Sequence, residues 1–378
     1  MPIHVAVPKE SVAGERRVAV VPDMVARLTK LGYAISVERG AGAGAYHSDA
    51  AYEKANAILV NDAESLCGDA NIVIKVQPPT LAEIDLYRAS TIMISFMQPH
   101  RHPAEVAKLR DKMITSFAME LVPRITRAQS MDALSSQATV AGYKSVLIAA
   151  NLCNRFFPML TTAAGTIRPA KVLILGAGVS GLQAIATARR LGAIVEAYDV
   201  RRAAREQVES LGARFLQVEL DAEAEGGYAR ELTEAEKERE RVMLWRSVSE
   251  ADVIITTAQI PGRQAPRLIS ATMVNDMKPG AVIVDIAAES GGNCELTVPG
   301  QEINHNGVII YGPENVSSLL AVHASEMYSK NIFNFLTLLS KDGQVLALDW
   351  QDEIIAASAV THEGQIRHAP TKKLVEGG

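Results

Sequence analysis

Short apolar runs alternate with amphipathic stretches along the amino-terminal part of the chain. Strands are predicted for the β-branched runs 3–7, 34–37, 72–76 and 91–96. Helices are predicted for the intervening stretches 23–31, 50–56 and 103–112, where apolar positions recur at helical spacing. Alternating strands and helices are typical of βαβ units with parallel strands. This part of the chain therefore predicts an α/β domain.

A second alternating series follows. Its strands are predicted at 171–175, 194–198, 214–216, 253–257 and 281–285, and its first helices at 181–191 and 203–211. Helical patterns also cover 123–150, where Gly142 is a plausible break, and 323–340, which could return the chain to the first domain. The polar tail 365–378 predicts a loose end.

The fold class that follows is α/β: two Rossmann-like doubly wound domains with a cleft between them, linked by long helices. A chain of 378 residues has room for two such domains. We place the first domain at 1–135 plus 325–378, which makes it discontinuous, and the second at 136–324.

The stretch 221–246 differs from both series in its charge. Gly226, Gly227 and Tyr228 are followed by a dense run of glutamate, lysine and arginine. One interpretation is a solvated surface helix. The other is a lid, in which the paired glycines act as a hinge and the tyrosine folds over a ligand.

The composition argues against several classes of protein. Hydrophobic residues make up 48% of the chain and charged residues 21%, a balance typical of globular proteins. The formal net charge of −5 argues against nucleic-acid binding. Three separated cysteines favour a reducing compartment over a disulfide framework or a zinc site. No signal peptide is recognised, and no run reaches the roughly 20 apolar residues of a membrane span.

A Gly-x-Gly-x-x-Gly pattern at 176–181 stands between a predicted strand and a predicted helix, which is the context of a dinucleotide-binding turn. Gly176 allows the tight turn, and Gly178 lets a pyrophosphate approach the backbone. Gly181 lets the helix pack closely on the strand, and the helix amino end, with Val179 and Ser180, stabilises phosphate charge.

Asp199 ends the next predicted strand. A carboxylate there suits the ribose hydroxyls of NAD and repels the extra phosphate of NADP. Val200 and Arg201 follow, and Arg201 with Arg202 weakens this preference because an arginine can accept a phosphate. The sequence favours NAD over NADP.

A second polar constellation runs from Arg124 to Gln137. On a helix, Gln129, Asp132 and Ser135 would share a face, with Arg124 near its edge. This face could bind the carboxamide and ribose of a nicotinamide, or it could be an ordinary polar helix face.

Lys75 lies late in an apolar strand and could be functional, although a strand-end charge is the commoner case. The histidines are scattered without the spacing of metal ligands, so no metal site is predicted.

Several stretches resemble one family. The stretches 8–10 and 14–19 resemble the start of alanine dehydrogenases and of the NAD(H)-binding component of proton-translocating nicotinamide nucleotide transhydrogenase. The transhydrogenase version is resembled more specifically by 124–137, 169–171, 226–229, 255–258 and 285–294. The resemblance covers nearly the whole chain.

The resemblance implies residue roles. The nicotinamide end, where catalysis takes place, would be held by Arg124, Gln129, Asp132 and Ser135. The glycine turn and Asp199 would hold the pyrophosphate and the adenosine ribose. Gly227 and Tyr228 would lie on a mobile loop that closes on the nucleotide, and Ala258 would line the site.

The two activities within this family differ in what they require. An alanine dehydrogenase must move protons, so it needs an acid–base group beside its substrate, and it uses a histidine with a lysine. Lys75 and Arg17 occupy corresponding places here, but Gln98 stands at the histidine position and Glu289 replaces an aspartate. Hydride passage between two nicotinamides needs two rings held in register and little else, so transhydrogenation is the expected activity.

The resemblance implies the alpha subunit of a Re/Si-specific, proton-translocating NAD(P)+ transhydrogenase, active only with its partner components. NAD(H) would bind this chain and pass hydride to NADP+ on a partner component, and a membrane-spanning component would couple the reaction to proton movement. A homodimer is implied, cytoplasmic and peripheral on the inner face of the cytoplasmic membrane. An amino-acid dehydrogenase and a non-catalytic NAD-binding regulator remain open as alternatives.

Overall fold

The computed structural model describes residues 2–217, 234–260, 263–340 and 342–377. The chain divides into two compact units, one formed by Met1–Gln137 with Ser317–Gly378 and the other by Ala138–Val316. The second domain boundary expected from the sequence, at 324/325, lies inside a helix that runs from Ala321 to Leu339.

The strands are described here in chain order. They are β1 (His4–Val7), β2 (Ala34–Glu38), β3 (Ile58–Val60), β4 (Ile72–Ile74), β5 (Ile92–Ser95), β6 (Thr115–Ala118), β7 (Leu160–Thr162), β8 (Gly165–Ile167), β9 (Lys171–Leu175), β10 (Ile194–Tyr198), β11 (Arg214–Phe215), β12 (Val253–Thr256), β13 (Val282–Asp285), β14 (Glu302–His305), β15 (Val308–Tyr311), β16 (Ala359–His362) and β17 (Gln365–Ile366).

The α-helices are α1 (Pro22–Lys30), α2 (Asp49–Lys54), α3 (Ala63–Cys67), α4 (Leu81–Asp85), α5 (Pro103–Asp111), α6 (Ala133–Leu152), α7 (Val179–Arg190), α8 (Arg205–Ser210), α9 (Glu234–Glu250), α10 (Ala271–Asn275), α11 (Ala321–Leu339), α12 (Glu353–Ser358) and α13 (Ala369–Glu376). Short 3₁₀ helices cover Ala43–Ala45, Met119–Leu121, Thr126–Met131, Arg202–Ala204, Ala288–Ser290 and Val316–Leu320.

Local signals explain where several of these helices begin. Pro22 occupies the first turn of α1, where its missing N–H costs nothing. Thr80 and Glu83 form a reciprocal capping box at the start of α4. Ser270 caps α10 by accepting the N–H of Met273. These starts are encoded within a few residues of sequence.

The first unit is built on a sheet whose described strands have the order β17-β16-β6-β5-β4-β1-β2-β3. Strands β1 to β6 are parallel, and β16 runs antiparallel to β6. The strand order reverses between β1 and β4, which pair with each other. In open α/β sheets such a reversal point, at the carboxyl ends of the strands, is where ligands bind.

The second unit repeats this plan with the described order β11-β10-β9-β12-β13-β15-β14. All neighbouring strands are parallel except β14 and β15. The order reverses between β9 and β12, which pair in register from Val172–Val253 to Leu175–Thr256. The α/β fold class, with two Rossmann-like domains, is thus confirmed.

The carboxyl-terminal part of the chain completes the first unit. Helix α11 places Tyr328, Phe335 and Leu336 in the same buried core as the strands of that unit, and the rings of Phe335 and Phe117 lie 5.4 Å apart. Strand β16 then extends the sheet beside β6. The helix predicted at 323–340 is confirmed.

The structure differs from the helix predicted at 123–150. Thr126–Met131 is a 3₁₀ helix, and α6 begins only at Ala133 and continues through Gly142 without a break. A Cβ on Gly142 would overlap the carbonyl oxygen of Ser180. Gly142 therefore permits a close backbone approach within the second unit, which a periodicity argument cannot detect.

The predicted loose tail is also wrong. Gln365–Ile366 pairs antiparallel with β16, and Ala369–Glu376 forms a helix with Pro370 in its first turn. Ile366 and Thr371 are only 3% exposed. A few well-placed contacts order this segment despite its polar composition.

The charged segment at 221–246 is described only in part. Helix α9 covers Glu234–Glu250, whereas Gly226, Gly227 and Tyr228 lie outside the described residues. The hinge-and-lid interpretation therefore stays a prediction. Among the helices of the described ranges, none has both the length and the apolar character that crossing a bilayer requires.

Candidate functional site

Each glycine of the turn at 176–181 has its own structural reason. Gly176 has a φ of +99°, which side chains rarely adopt. A Cβ on Gly181 would overlap the carbonyl oxygen of Gly176, so helix and turn are in contact there. A Cβ on Gly178 would meet nothing within 4 Å. The space beside Gly178 is open, which is what a bound pyrophosphate requires.

Helix α7 begins directly at this open space. Gly178 is its N-cap residue, and Val179, its first residue, is 40% exposed. The N–H groups of a first helical turn have no partners within the helix, and the helix dipole adds partial positive charge there. The Oγ of Ser180 is buried and has no hydrogen-bond partner among the described residues. This end of α7 can hold an anion through its backbone.

Asp199 follows β10 and is tied to the glycine turn. Its Oδ2 accepts a 2.7 Å hydrogen bond from the N–H of Ala177, and its Oδ1 accepts hydrogen bonds from the N–H and Nε of Arg201 at 2.8 and 3.0 Å. Burial opposes ionisation, but these hydrogen bonds outweigh it and hold the pKa of Asp199 below its ordinary value. The ionised carboxylate suits ribose hydroxyls, with the exposed Val200 and Arg201 beside it.

Ala258 lies beside the same turn. It follows β12, the strand that pairs with β9 at the reversal point. The Oγ1 of Thr257 donates a hydrogen bond of 3.0 Å to the carbonyl oxygen of Gly176, and a Cβ on Gly176 would lie 3.0 Å from the nitrogen of Ala258. The structure thus brings together the glycine turn, Asp199 and Ala258 within the second unit.

The four predicted nicotinamide-binding residues lie in the first unit, and the single helical face predicted for them is wrong. Asp132, with ψ 82°, separates the 3₁₀ helix that contains Gln129 from α6. Its Oδ1 accepts the N–H of Ser135 at 2.8 Å, and its Oδ2 accepts the Ser135 hydroxyl at 2.6 Å. Asp132 therefore acts as a helix cap paired with Ser135. Arg124 and Gln129 are exposed on the preceding segment.

Buried charges occupy the reversal point of the first unit. Glu10 follows β1 and Lys75 follows β4. Lys75 is fully buried, and its Nζ lies 2.5 Å from Oε1 of Glu83 and 3.7 Å from Oε2 of Glu10. Burial raises the pKa of Glu10 to about 7 even though Lys75 opposes the rise. Lys75 is thus not a surface strand-end charge, since it is neutralised inside the unit.

Arg17 is neutralised in the same way. It is 5% exposed, and its Nε and Nη2 donate hydrogen bonds to the two carboxylate oxygens of Glu15 at 2.8 and 2.6 Å. Its Nη1 donates to Oε1 of Gln137 at 2.8 Å. Burial of Glu15 favours its neutral form, but hydrogen bonds from Arg17 and Gln77 outweigh burial and lower the pKa of Glu15 to about 2.

Gln98 stands where the resemblance places a histidine. Its φ is +42°, and its N–H donates a 2.5 Å hydrogen bond to Oε1 of Glu120. Glu120 also accepts the N–H of Met97 at 3.0 Å, and burial raises its pKa. An amide side chain does not exchange protons in the physiological range, so Gln98 cannot act as an acid or a base.

Two family models match this chain. The alanine dehydrogenase/PNT N-terminal domain matches residues 6–141, and the alanine dehydrogenase/PNT C-terminal domain matches residues 145–369. The chain belongs to the alanine dehydrogenase/PNT family.

Members of both branches of this family are similar to the chain. An NAD(P) transhydrogenase subunit alpha protein of Rhodospirillum rubrum is 45% identical over 376 residues, which cover 97% of this chain and 98% of that protein. The crystal structure of transhydrogenase from Sinorhizobium meliloti has a TM-score of 0.85 at 42% identity and covers 97% of this chain and 99% of its own. Alanine dehydrogenase of Mycobacterium tuberculosis is 31% identical over 306 residues, 79% of this chain and 76% of that protein.

Sequence reasoning missed the carboxylates that neutralise the buried cations. Glu10, Glu15 and Glu83 come from loops and a helix start on three sides of Lys75 and Arg17. A lysine within an apolar run signals that some carboxylate must be near, because an isolated buried charge is costly. The sequence does not say which carboxylate, since the partners are chosen by the fold.

Proposed function

We propose that this chain is the NAD(H)-binding component of a proton-translocating transhydrogenase. Its bound NADH donates a hydride directly to NADP+ carried by a partner component, and a membrane-spanning component couples this reaction to proton movement. The chain works as a homodimer attached through its partners to the inner face of the cytoplasmic membrane. Its similarity to proteins named NAD(P) transhydrogenase subunit alpha supports this assignment.

The geometry of the second unit supports NAD(H) as the nucleotide. The open space beside Gly178 and the amino end of α7 suit the pyrophosphate, and the ionised Asp199 suits the adenosine ribose. We assign the lining of the site to Ala258 and the closing loop to Gly227 and Tyr228. We assign the nicotinamide end to Arg124, Gln129, Asp132 and Ser135.

The observation that favours transhydrogenation over amino-acid dehydrogenation is the pairing of the two buried cations. An amino acid or oxo acid brings a carboxylate that a cation must bind. Arg17 is already held by Glu15, and Lys75 by Glu83 and Glu10. Displacing a buried carboxylate from its cation costs about 3–5 kcal/mol, so these cations are poor receptors for a second carboxylate.

The chemistry at Gln98 points the same way. Oxidation of an amino acid releases protons that a side chain must accept, and Gln98 cannot accept one. Hydride transfer between two nicotinamide rings releases no proton at the reacting carbons. Such a site has to position two rings and exclude water, which the residues of this chain can do without acid–base catalysis.

The deciding experiment compares two assays of the purified full chain. With NAD+ and L-alanine alone we expect no reduction of NAD+. With an NADP(H)-binding transhydrogenase component, NADPH and an oxidised NAD analogue, we expect hydride exchange. Turnover of L-alanine would establish the dehydrogenase instead, and nucleotide binding without exchange would establish a non-catalytic regulator.

Arg124→Ala tests the proposed nicotinamide end. Loss of a positioning cation should slow hydride exchange by about 100-fold while NADH affinity changes far less, because misplacement of a ring by an ångström is enough. The matched control is Arg127→Ala, which removes an exposed arginine paired with Asp352 at 2.7 Å. Equal losses of exchange rate and affinity in Arg124→Ala would contradict the positioning role.

A further inference from the structure

The side chain of Asn293 holds both polar groups of one residue, Ala258. Its Oδ1 accepts the N–H of Ala258 at 3.0 Å, and its Nδ2 donates to the carbonyl oxygen of Ala258 at 2.8 Å. The same Nδ2 donates to the carbonyl oxygen of Pro266, also at 2.8 Å. One side chain therefore fixes the orientation of Ala258 and joins it to a second point of the chain.

A side-chain amide of this length satisfies the pattern without strain. The site needs one acceptor for an N–H and two donors for two carbonyl oxygens, which is what an asparagine supplies. An aspartate would keep the acceptor but place a negative charge against two carbonyl oxygens. Because Asn293 is fully buried, water cannot readily replace the lost hydrogen bonds.

Asn293 is itself held by Asp285, the last residue of β13. The Oδ2 of Asp285 accepts the N–H of Asn293 at 2.8 Å, the N–H of Cys294 at 3.0 Å and the hydroxyl of Thr297 at 2.7 Å. Its Oδ1 accepts the hydroxyl of Thr256 at 2.8 Å. Asp285 is fully buried, so this network is rigid and connects the ends of β12 and β13.

The turn before Asn293 is shaped to let this network form. Gly292 has a φ of +77°, and a Cβ there would lie 2.9 Å from Oδ2 of Asp285. Any side chain at Gly292 would therefore push against the carboxylate that holds Asn293.

We propose that Asn293 is a positioning residue for the nucleotide site: its amide, held by Asp285, fixes the Ala258 peptide beside the glycine turn. Ala258 lies against Gly176 at the reversal point of the sheet, so its placement sets one wall of the space in front of α7. This inference rests on the proposed NAD(H) site. Asn293 acts through Ala258 and does not touch the nucleotide.

The test compares NADH affinity with thermal stability in the full-length protein. Asn293→Ala and Asn293→Asp should each weaken NADH binding by roughly tenfold, because the hydrogen bonds that hold Ala258 are lost or opposed. Binding is measured by titrating the fluorescence of NADH, and stability by thermal unfolding. Asn293→Asp provides a second variant of nearly unchanged volume.

The matched control is Thr297→Val, which removes one hydrogen bond from the same Asp285 network but leaves the contacts of Asn293 with Ala258 in place. It should lower the melting temperature without changing NADH affinity. If the Asn293 variants lose stability but bind NADH as tightly as the wild type, the positioning role is wrong. If the wild-type protein itself fails to bind NADH, the proposed function fails instead.

Amide hydrogen exchange in the wild-type protein gives a result that does not depend on how the variants fold. The N–H of Ala258 should exchange slowly, because Asn293 accepts it in a buried site. Fast exchange at Ala258, with slow exchange in β12, would overturn the proposal.

Discussion

At the residue scale, the glycine turn separates two demands that the motif combines. Gly181 serves the fold, because its missing side chain lets α7 meet the carbonyl oxygen of Gly176. Gly178 serves the ligand, because the space that its side chain would fill is empty of protein atoms. A substitution at each position should therefore fail for a different reason.

We expect Gly181→Ala to destabilise the protein by about 1–3 kcal/mol, because its Cβ would overlap the backbone of Gly176. Gly178→Ala should change stability by less than about 0.5 kcal/mol and weaken NADH binding by roughly tenfold or more. Urea unfolding and NADH titration of both variants measure the two effects. A Gly178→Ala protein that binds NADH normally would refute the proposed position of the pyrophosphate.

At the scale of elements, β1 and β4 end in a group of buried charges rather than in an open binding site. The loop after β1 supplies Glu10, Glu15 and Arg17, and the end of β4 supplies Lys75. The sheet reverses its strand order at this point, as it does at the glycine turn of the second unit. The same topology thus serves nucleotide binding in one unit and internal charge pairing in the other.

The Arg17–Glu15 pair should make the stability of the protein depend on pH. The pKa of Glu15 falls from an ordinary 4.5 to about 2 on folding, so its ionised form stabilises the protein fully above pH 4.5. This contribution, about 3 kcal/mol, is lost as the pH falls from 4.5 towards 2. Glu15→Gln should therefore be less stable than the wild type at pH 7, and the difference should shrink in acid.

Urea unfolding of both proteins between pH 3 and pH 7 measures this difference. The control is Glu209→Gln, which breaks an exposed ion pair with Arg205 and should cost at most about 1 kcal/mol at any pH. A stability difference for Glu15→Gln that stays constant over this range would show that the charge of Glu15 does not cause it.

At the scale of the whole molecule, the two units differ in how the chain builds them. The second unit is continuous and has its own buried clusters on both faces of its sheet. The first unit needs α11 for its core and β16 for its sheet, and both come from the end of the chain. The units should therefore differ in whether a continuous fragment can fold.

We expect residues 138–316, expressed alone, to unfold cooperatively in urea, because their core is local to the fragment. Residues 1–137 should show no cooperative transition, since Tyr328 and Phe335 are missing from their core. The control joins 1–137 to 317–378 through a flexible linker, which should restore cooperativity. Cooperative unfolding of 1–137 by itself would contradict the role given to the carboxyl-terminal segment.

The sequence by itself determined the two α/β series, the dinucleotide turn and the family, because these depend on local periodicity and on backbone demands at single glycines. The tertiary structure alone decided that Asp132 caps α6, that the polar tail joins the sheet, and that Asn293 holds Ala258. It also decided which carboxylates neutralise Lys75 and Arg17. These contacts join residues from separate segments, and periodicity carries no information about which distant side chains will meet when the sheet assembles.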